Sequence, residues 1–290
     1  MFIKDLKESF HLLIKNPVIY LPDLFEALVS YILIYLLYIY TGASNILPLL
    51  QSAETFSLDI LTSYISENFI ALLLSVIIFI FVTFFLGVGI MIFKFTLIKD
   101  IITHKKAIFS RIWKENNNLF FPIVLVRLLL FVINFIVFGL IILLSLLIYY
   151  LLSFWNPIVA QYIAISIGGI LLISAFILIT LVFFFRYPII FLKNIKHPIK
   201  VLQTSLKLFS ENYIFVILTA LVILALNLVF SIFLFNFNLG ITTGITLIQV
   251  ATLATILSVV WSIISLVIQL TAELWGTIYL FLKYSKSQTS

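Results

Sequence analysis

The chain has 290 residues, of which 64% are hydrophobic and 10% charged, with a formal net charge of +6 and no cysteine. Soluble domains run nearer half apolar and a quarter charged, so a water-soluble fold of this size has no means of covering so much apolar surface. The missing cysteines exclude disulfides, iron–sulfur clusters and thiolate zinc sites, and bases set between long apolar runs, rather than on a soluble module with stacking aromatics, argue against nucleic acid as a partner.

Met1 to Asn16 mixes charged and apolar residues and offers no small-residue cleavage site, unlike a secretory signal peptide. Apolar runs follow at Asp23–Thr41, Phe69–Ile98, Leu119–Leu152, Pro157–Phe185 and Tyr213–Phe237, with a last one ending at Lys283. Each is long enough to cross a hydrocarbon core of about 30 Å, which takes about 20 residues of helix. Lipid offers backbone groups no partner, so the spans must be helices. A barrel would need alternating segments of about 10 residues, and the chain has none. The expected fold class is all-α: a polytopic membrane bundle of about six spans forming a single domain, 1–290.

Bases fix the expected orientation. Lys4, Lys7 and Lys15 precede the first span, Lys99, Lys105, Lys106, Arg111 and Lys114 follow the second, and Arg186, Lys193, Lys196, Lys200 and Lys207 follow the fourth. Lys283 and Lys286 close the chain, whereas the connection Gly42–Asn68 holds only acids, Glu54, Asp59 and Glu67. That asymmetry predicts a cell-membrane protein with both termini cytoplasmic. The stretch Ile241–Leu282 lacks any Lys or Arg over 42 residues. Two spans there would place Lys283 outside, so one span is expected, either tilted or broken near Gly244.

The cytoplasmic segments read as amphipathic helices lying at the interface. Phe2–Lys15 sets Ile3, Leu6, Phe10 and Leu13 against Lys4, Lys7, Glu8, His11 and Lys15. Ala107–Asn116 sets Ile108, Phe109, Ile112 and Trp113 against Arg111, Lys114 and Glu115, and Ile199–Glu211 sets Ile199, Leu202, Leu206 and Phe209 against Lys200 and Lys207. Each runs into an asparagine, Asn16, Asn116 or Asn212, offset by 100 and 96 residues. An asparagine suits a helix stop, since it tolerates the left-handed region. Three units, 1–100, 101–196 and 197–290, each an interfacial helix plus a hairpin, are therefore expected. The bases Lys4, Lys7, Arg111, Lys114, Lys200 and Lys207 are the expected contacts for anionic lipid head groups, at about 1 kcal/mol each. A membrane-protein partner is a further expectation.

The run from Arg186 through Ser205 to Asn212 resembles a pattern in a loose group of polytopic prokaryotic proteins. The group includes the membrane domain fused to some bacterial glycerophosphoryl diester phosphodiesterases. In it a span ends, a short link follows, and a helix with a serine, an aromatic, a leucine and a closing asparagine leads into the next span. Ser205, Leu208 and Asn212 match, and Leu206 replaces the aromatic. The resemblance covers about 30 residues and implies an architecture. The phosphodiesterase chemistry belongs to a soluble barrel absent here, so it does not carry over.

Ionisable residues inside spans are costly and are functional candidates by default. Asp23 lies in this set, and Glu26, Lys94, Arg127, Arg186 and Glu273 form the candidate polar cluster, expected to line a cytoplasm-facing cavity or to pair and hold helices in register. Gly87, Gly89, Gly168 and Gly169 suit close helix crossings, and Asn134, Asn227, Gln249 and Gln269 suit hydrogen bonds between helices. His11, His104 and His197 lie far apart without companion ligands, so no metal is expected, nor a serine–histidine–acid group. A phosphate loop is absent, so no nucleotide or other cofactor is expected. Mitochondrial carriers also use three hairpins, but Pro22-Asp-Leu-Phe-Glu26 ends in the wrong charge for their motif. The resulting expectation is a non-enzymatic structural, accessory or lipid-organising protein; a small transporter working through the polar cluster is the alternative.

Overall fold

The structure, a computed structural model, describes residues 2–41, 58–106, 109–246 and 251–288, the side chains of 58–61, 109–117, 239–246 and 251–254 excepted. Every regular element among the described residues is helical. Helix α1 spans Phe2–Lys15, and a 3-10 turn, Pro17–Tyr20, leads into α2, Leu21–Tyr40. Then come α3 (Leu58–Glu67), α4 (Phe69–His104), α5 (Phe109–Ser153), α6 (Pro157–Val182), α7 (Arg186–Lys193), α8 (Pro198–Glu211), α9 (Tyr213–Thr246) and α10 (Ala251–Ser287). Six helical stretches are long and apolar enough to cross a bilayer: Pro17–Tyr40, Phe69–His104, Asn118–Ser153, Pro157–Lys193, Tyr213–Asn238 and Thr255–Ser287.

Local chemistry sets several ends. Asn156 caps α6, its side-chain oxygen accepting from the Ile158 and Val159 amides, with Pro157 at the first helical position. Helix α4 closes on Lys105 at φ 58° and α7 on Asn194 at φ 55°. These left-handed corners are not at the asparagines where the sequence places them. Asn16 and Asn212 do end α1 and α8, but at φ −129° and −136°. Asn16 works through its amide instead, donating to the Leu12 carbonyl left free by the helix end.

Two expected boundaries differ. Helix α5 runs unbroken from Phe109 through Asn116, so the described part of that expected interfacial segment joins the third span rather than forming a separate helix. Three asparagines in a row each cost only about 0.7 kcal/mol of helix propensity, less than opening the backbone hydrogen bonds they sit among. Helix α9 likewise passes Phe237 and ends at Thr246, because no proline interrupts it. The stretch from Ile241 is therefore not one span: 241–246 belong to α9, with Gly244 inside it, and α10 begins at Ala251.

Neighbours in sequence pair into hairpins, α2 with α4, α5 with α6 and α9 with α10, while α1 packs along α10. Buried apolar side chains gather at one end of the bundle. They come from α1 (Leu13), the last turns of α4 (Ile92, Ile98, Ile101), the described start of the third span (Leu119, Ile123), α7 (Ile189, Phe191) and the last turns of α10 (Ile278, Phe281). This is the end where the lysine-bearing segments lie, called the basic end below. At the other end the helices present apolar faces outward, and Trp155 at the α5–α6 tip is 94% exposed beside exposed Tyr150 and Tyr162, an arrangement suited to a membrane interface.

Among the described residues, one close helix approach in that outer half is written in a glycine. A Cβ at Gly168 would collide with the Ser145 hydroxyl, whereas one at Gly169 would meet nothing within 4 Å. Gly168→Ala is therefore expected to cost about 1–3 kcal/mol and lower the thermal midpoint in detergent, with partial recovery in Gly168→Ala/Ser145→Ala. Gly169→Ala should be neutral in the same melts.

Candidate functional site

Three of the intramembrane charges meet. Lys94 Nζ lies 3.0 Å from Asp23 Oδ2 and 2.7 Å from Glu273 Oε1. The Lys94 and Asp23 side chains are buried, at 8% and 5% exposure, while Glu273 is 63% exposed. Asp23 sits in the first turn of α2, where the free backbone amides favour a negative charge. Helix α4 carries Lys94 and α10 carries Glu273, so the cluster joins the first hairpin to the last. Tyr20 and Thr271 add a hydroxyl–hydroxyl contact of 2.9 Å on the same seam.

The remaining candidates stand apart from that pair. Glu26 faces a cavity of only about 30 Å³ with Ser30, Thr83 and Gly87. Arg127 points Nη1 past Gly87 and lies 5.8 Å over the Phe84 ring. Arg186 stacks 4.6 Å over Tyr187 and donates to the Phe183 carbonyl at 2.9 Å. The five residues thus divide into the paired Lys94 and Glu273, two arginines that each lie over an aromatic ring, and Glu26 apart from both. Among the mid-span amides, Asn134 donates within its own helix, to Leu130, rather than across an interface.

A second buried knot was not legible in the sequence. Asp5 is 2% exposed, and its carboxylate lies 2.6 Å from Lys283 and 2.6 Å from Lys286. Lys286 also reaches Glu8 at 2.6 Å. The face that α1 turns inward is therefore Asp5, Ser9 and Leu13, and Ile3 and Ile14, at 72% and 62% exposure, point out. Of the apolar face expected at the interface, Ile3 and Phe10 are exposed and Leu13 is buried in the bundle, which accepts the Asp5 carboxylate because Lys283 is buried and needs one. Trp275 fastens the same contact, its indole N–H 3.0 Å from both the Leu6 carbonyl and Ser9 Oγ, with Phe10 4.6 Å away.

Of the bases expected to meet head groups, Lys4, Lys7, Lys200 and Lys207 are exposed, while the side chains of Arg111 and Lys114 lie outside the described residues. Lys207 lines a cavity of about 710 Å³ at the basic end, along with Lys193, Lys283 and Lys286. A groove of about 600 Å³ lies between α5 and α6, walled by Ile142, Leu146, Tyr149, Ile165 and Gly168. No family model, curated protein or solved structure matches this chain. Six apolar helices with their charges paired or gathered at one end make it an integral membrane protein.

Two outcomes follow. Removing one partner of a buried ion pair leaves an uncompensated charge and costs about 3–5 kcal/mol, whereas an exposed partner contributes about 0–1 kcal/mol. Asp23→Asn should therefore depress the thermal midpoint far more than Glu273→Gln. The second outcome concerns pH. Burial alone would raise the Asp5 carboxyl, but hydrogen bonds and charge from Lys283 and Lys286 outweigh it and hold it below its ordinary 3.8. A depressed carboxylate stabilises fully above its ordinary value and loses that contribution as pH falls through the folded value. Trp275 emission should hence be constant above about pH 4 and change below it as α1 undocks. Asp5→Asn should show the altered emission at neutral pH and no acid transition.

Proposed function

We propose that this protein is a non-enzymatic component of the cell membrane that organises lipid around a clamped, lysine-rich end, with both termini cytoplasmic. The observation that carries the reading is the uneven packing: side chains interlock at the basic end, and the helices offer open apolar faces toward the other. Lipid tails are the natural cover for such faces, and the α5–α6 groove has the apolar walls to receive one. The outer strip of α1 supports the same role. Ile3, Phe10 and Ile14 stand exposed there, on the helix that also exposes Lys4, Lys7 and Lys15. A helix with that pairing suits the boundary between tails and anionic head groups.

The transport alternative asks for a passage reaching the polar cluster. Neither the lysine pocket nor the α5–α6 groove is lined by Lys94 or Glu273. Lys94 and Asp23 are buried against each other, as structural partners are.

Lipid retention is the test. The chain purified in mild detergent should keep phospholipid, lose thermal midpoint on delipidation, and regain it more fully with phosphatidylglycerol than with phosphatidylcholine. Equal recovery with both lipids, or none, would overturn the reading. So would a solute flux in proteoliposomes that Glu273→Gln abolishes while leaving the folding yield unchanged.

A further inference from the structure

The lysine-lined cavity has no part in the ion-paired clamp beyond sharing Lys283 and Lys286. Its walls come from five stretches of chain that meet only in the folded bundle: the start of α1, the end of α7, the outer half of α8, the start of α9 and the last turns of α10. Four ammonium groups line it, Lys193, Lys207, Lys283 and Lys286, against one carboxylate, Glu211. Acids outside the cavity account for two of them, Asp5 binding Lys283 and Asp5 with Glu8 binding Lys286. Lys207 is left with a loose contact of 3.7 Å to Glu211, both side chains exposed. Lys193 has no ion-pair partner among the described residues and rests 5.9 Å over the Tyr284 ring.

Tyr284, 1% exposed, forms part of the wall. A net-positive cavity with apolar walls, Phe2, Leu208 and Phe215, asks for a ligand of matching halves. One half is an anion with several acceptor oxygens, and the other is apolar. Lysine serves such anions as a point charge, and a volume near 700 Å³ falls in the range of small-molecule sites.

We infer that this cavity binds a phosphate-bearing anion of head-group size, held by Lys193 and Lys207, with Lys286 completing the charge. The inference deepens the lipid-organising reading and rests on it for the preferred source, an anionic phospholipid entering by its head group. Because Lys286 also holds Asp5 and Glu8, an occupant would draw on the same ammonium that fastens α1.

The test uses the full chain in detergent, with native mass spectrometry counting bound phosphatidylglycerol. Lys193 and Lys207 are exposed and Lys283 is left untouched, so Lys193→Gln/Lys207→Gln should fold as the parent does, which its thermal midpoint without lipid verifies. This variant should bind phosphatidylglycerol at least tenfold more weakly, and Lys106→Gln/Lys196→Gln, which alters exposed bases outside the cavity, within twofold of the parent. Inorganic phosphate and glycerol 1-phosphate separate the sources. Competition by either at micromolar concentration supports the site with a free phosphate compound as its occupant, and failure of both to compete supports the lipid. Equal losses in the cavity and outside variants would mean diffuse surface attraction and would overturn the inference. Unchanged binding in Lys193→Gln/Lys207→Gln would overturn it too, and retention of phospholipid by that variant would leave the wider lipid-organising reading standing.

Discussion

An ammonium group cannot remain unpaired in an apolar core, and that constraint decides which helices of this bundle meet. Lys94 and Lys283 are both buried, and each has drawn in a carboxylate from a distant part of the chain, Asp23 for one and Asp5 for the other. The two knots share α10, which carries Lys283 and Glu273. The last helix is thereby tied to the first interfacial segment and to the first hairpin at once. Interlocking apolar side chains then fill the space around the knots, with Phe95 5.2 Å from Phe281 and Phe185 5.7 Å from Tyr284. In lipid, apolar contact between helices gains little over contact with tails, so directional pairs of this kind can specify an assembly that greasy surfaces alone would leave free to slide.

Helical class and the six spans were readable from the chain because lipid penalises unpaired backbone so heavily that a long apolar run has one solution. Ends were harder. Helix α5 continues through Asn116 and α9 through Phe237 because residues of weak helix propensity do not stop a helix; they only lower its stability by tenths of a kcal/mol. The real left-handed corners, Lys105 and Asn194, carry a lysine as readily as an asparagine, so residue type alone points poorly to them.

Within the site, the sequence singled out Lys94 and Glu273 as charges inside apolar spans, and they do meet, across 179 residues. Asp5 gave no such signal. In helical periodicity it falls beside Lys4 and Lys7 and reads as part of a solvated face, and only the fold reveals the buried Lys283 opposite it. Pairing at a separation of 281 residues, as between Asp5 and Lys286, leaves no local trace. Ser205 lies between these extremes. It lies on α8, and its hydroxyl donates to the Val182 carbonyl at the end of α6. A serine there satisfies a helix-terminal carbonyl that would otherwise be orphaned.

The open end of the bundle follows from the same energetics. Outside the basic end few side chains interlock, but every helix already satisfies its own backbone, so lipid contact costs these faces little. The exception is the α5–α6 hairpin, where Gly168 admits Ser145 and the two helices stay close along their length. The other hairpins depend on the basic end for their geometry, through Asp23 and Lys94 in the first and through Lys283 and Asp5 in the last. An event at that end that draws Lys286 away from Asp5 and Glu8 would therefore reach α1 first and the α10 seam next, leaving the α5–α6 hairpin as it is. A membrane protein built this way is rigid where it meets charge and compliant where it meets tails.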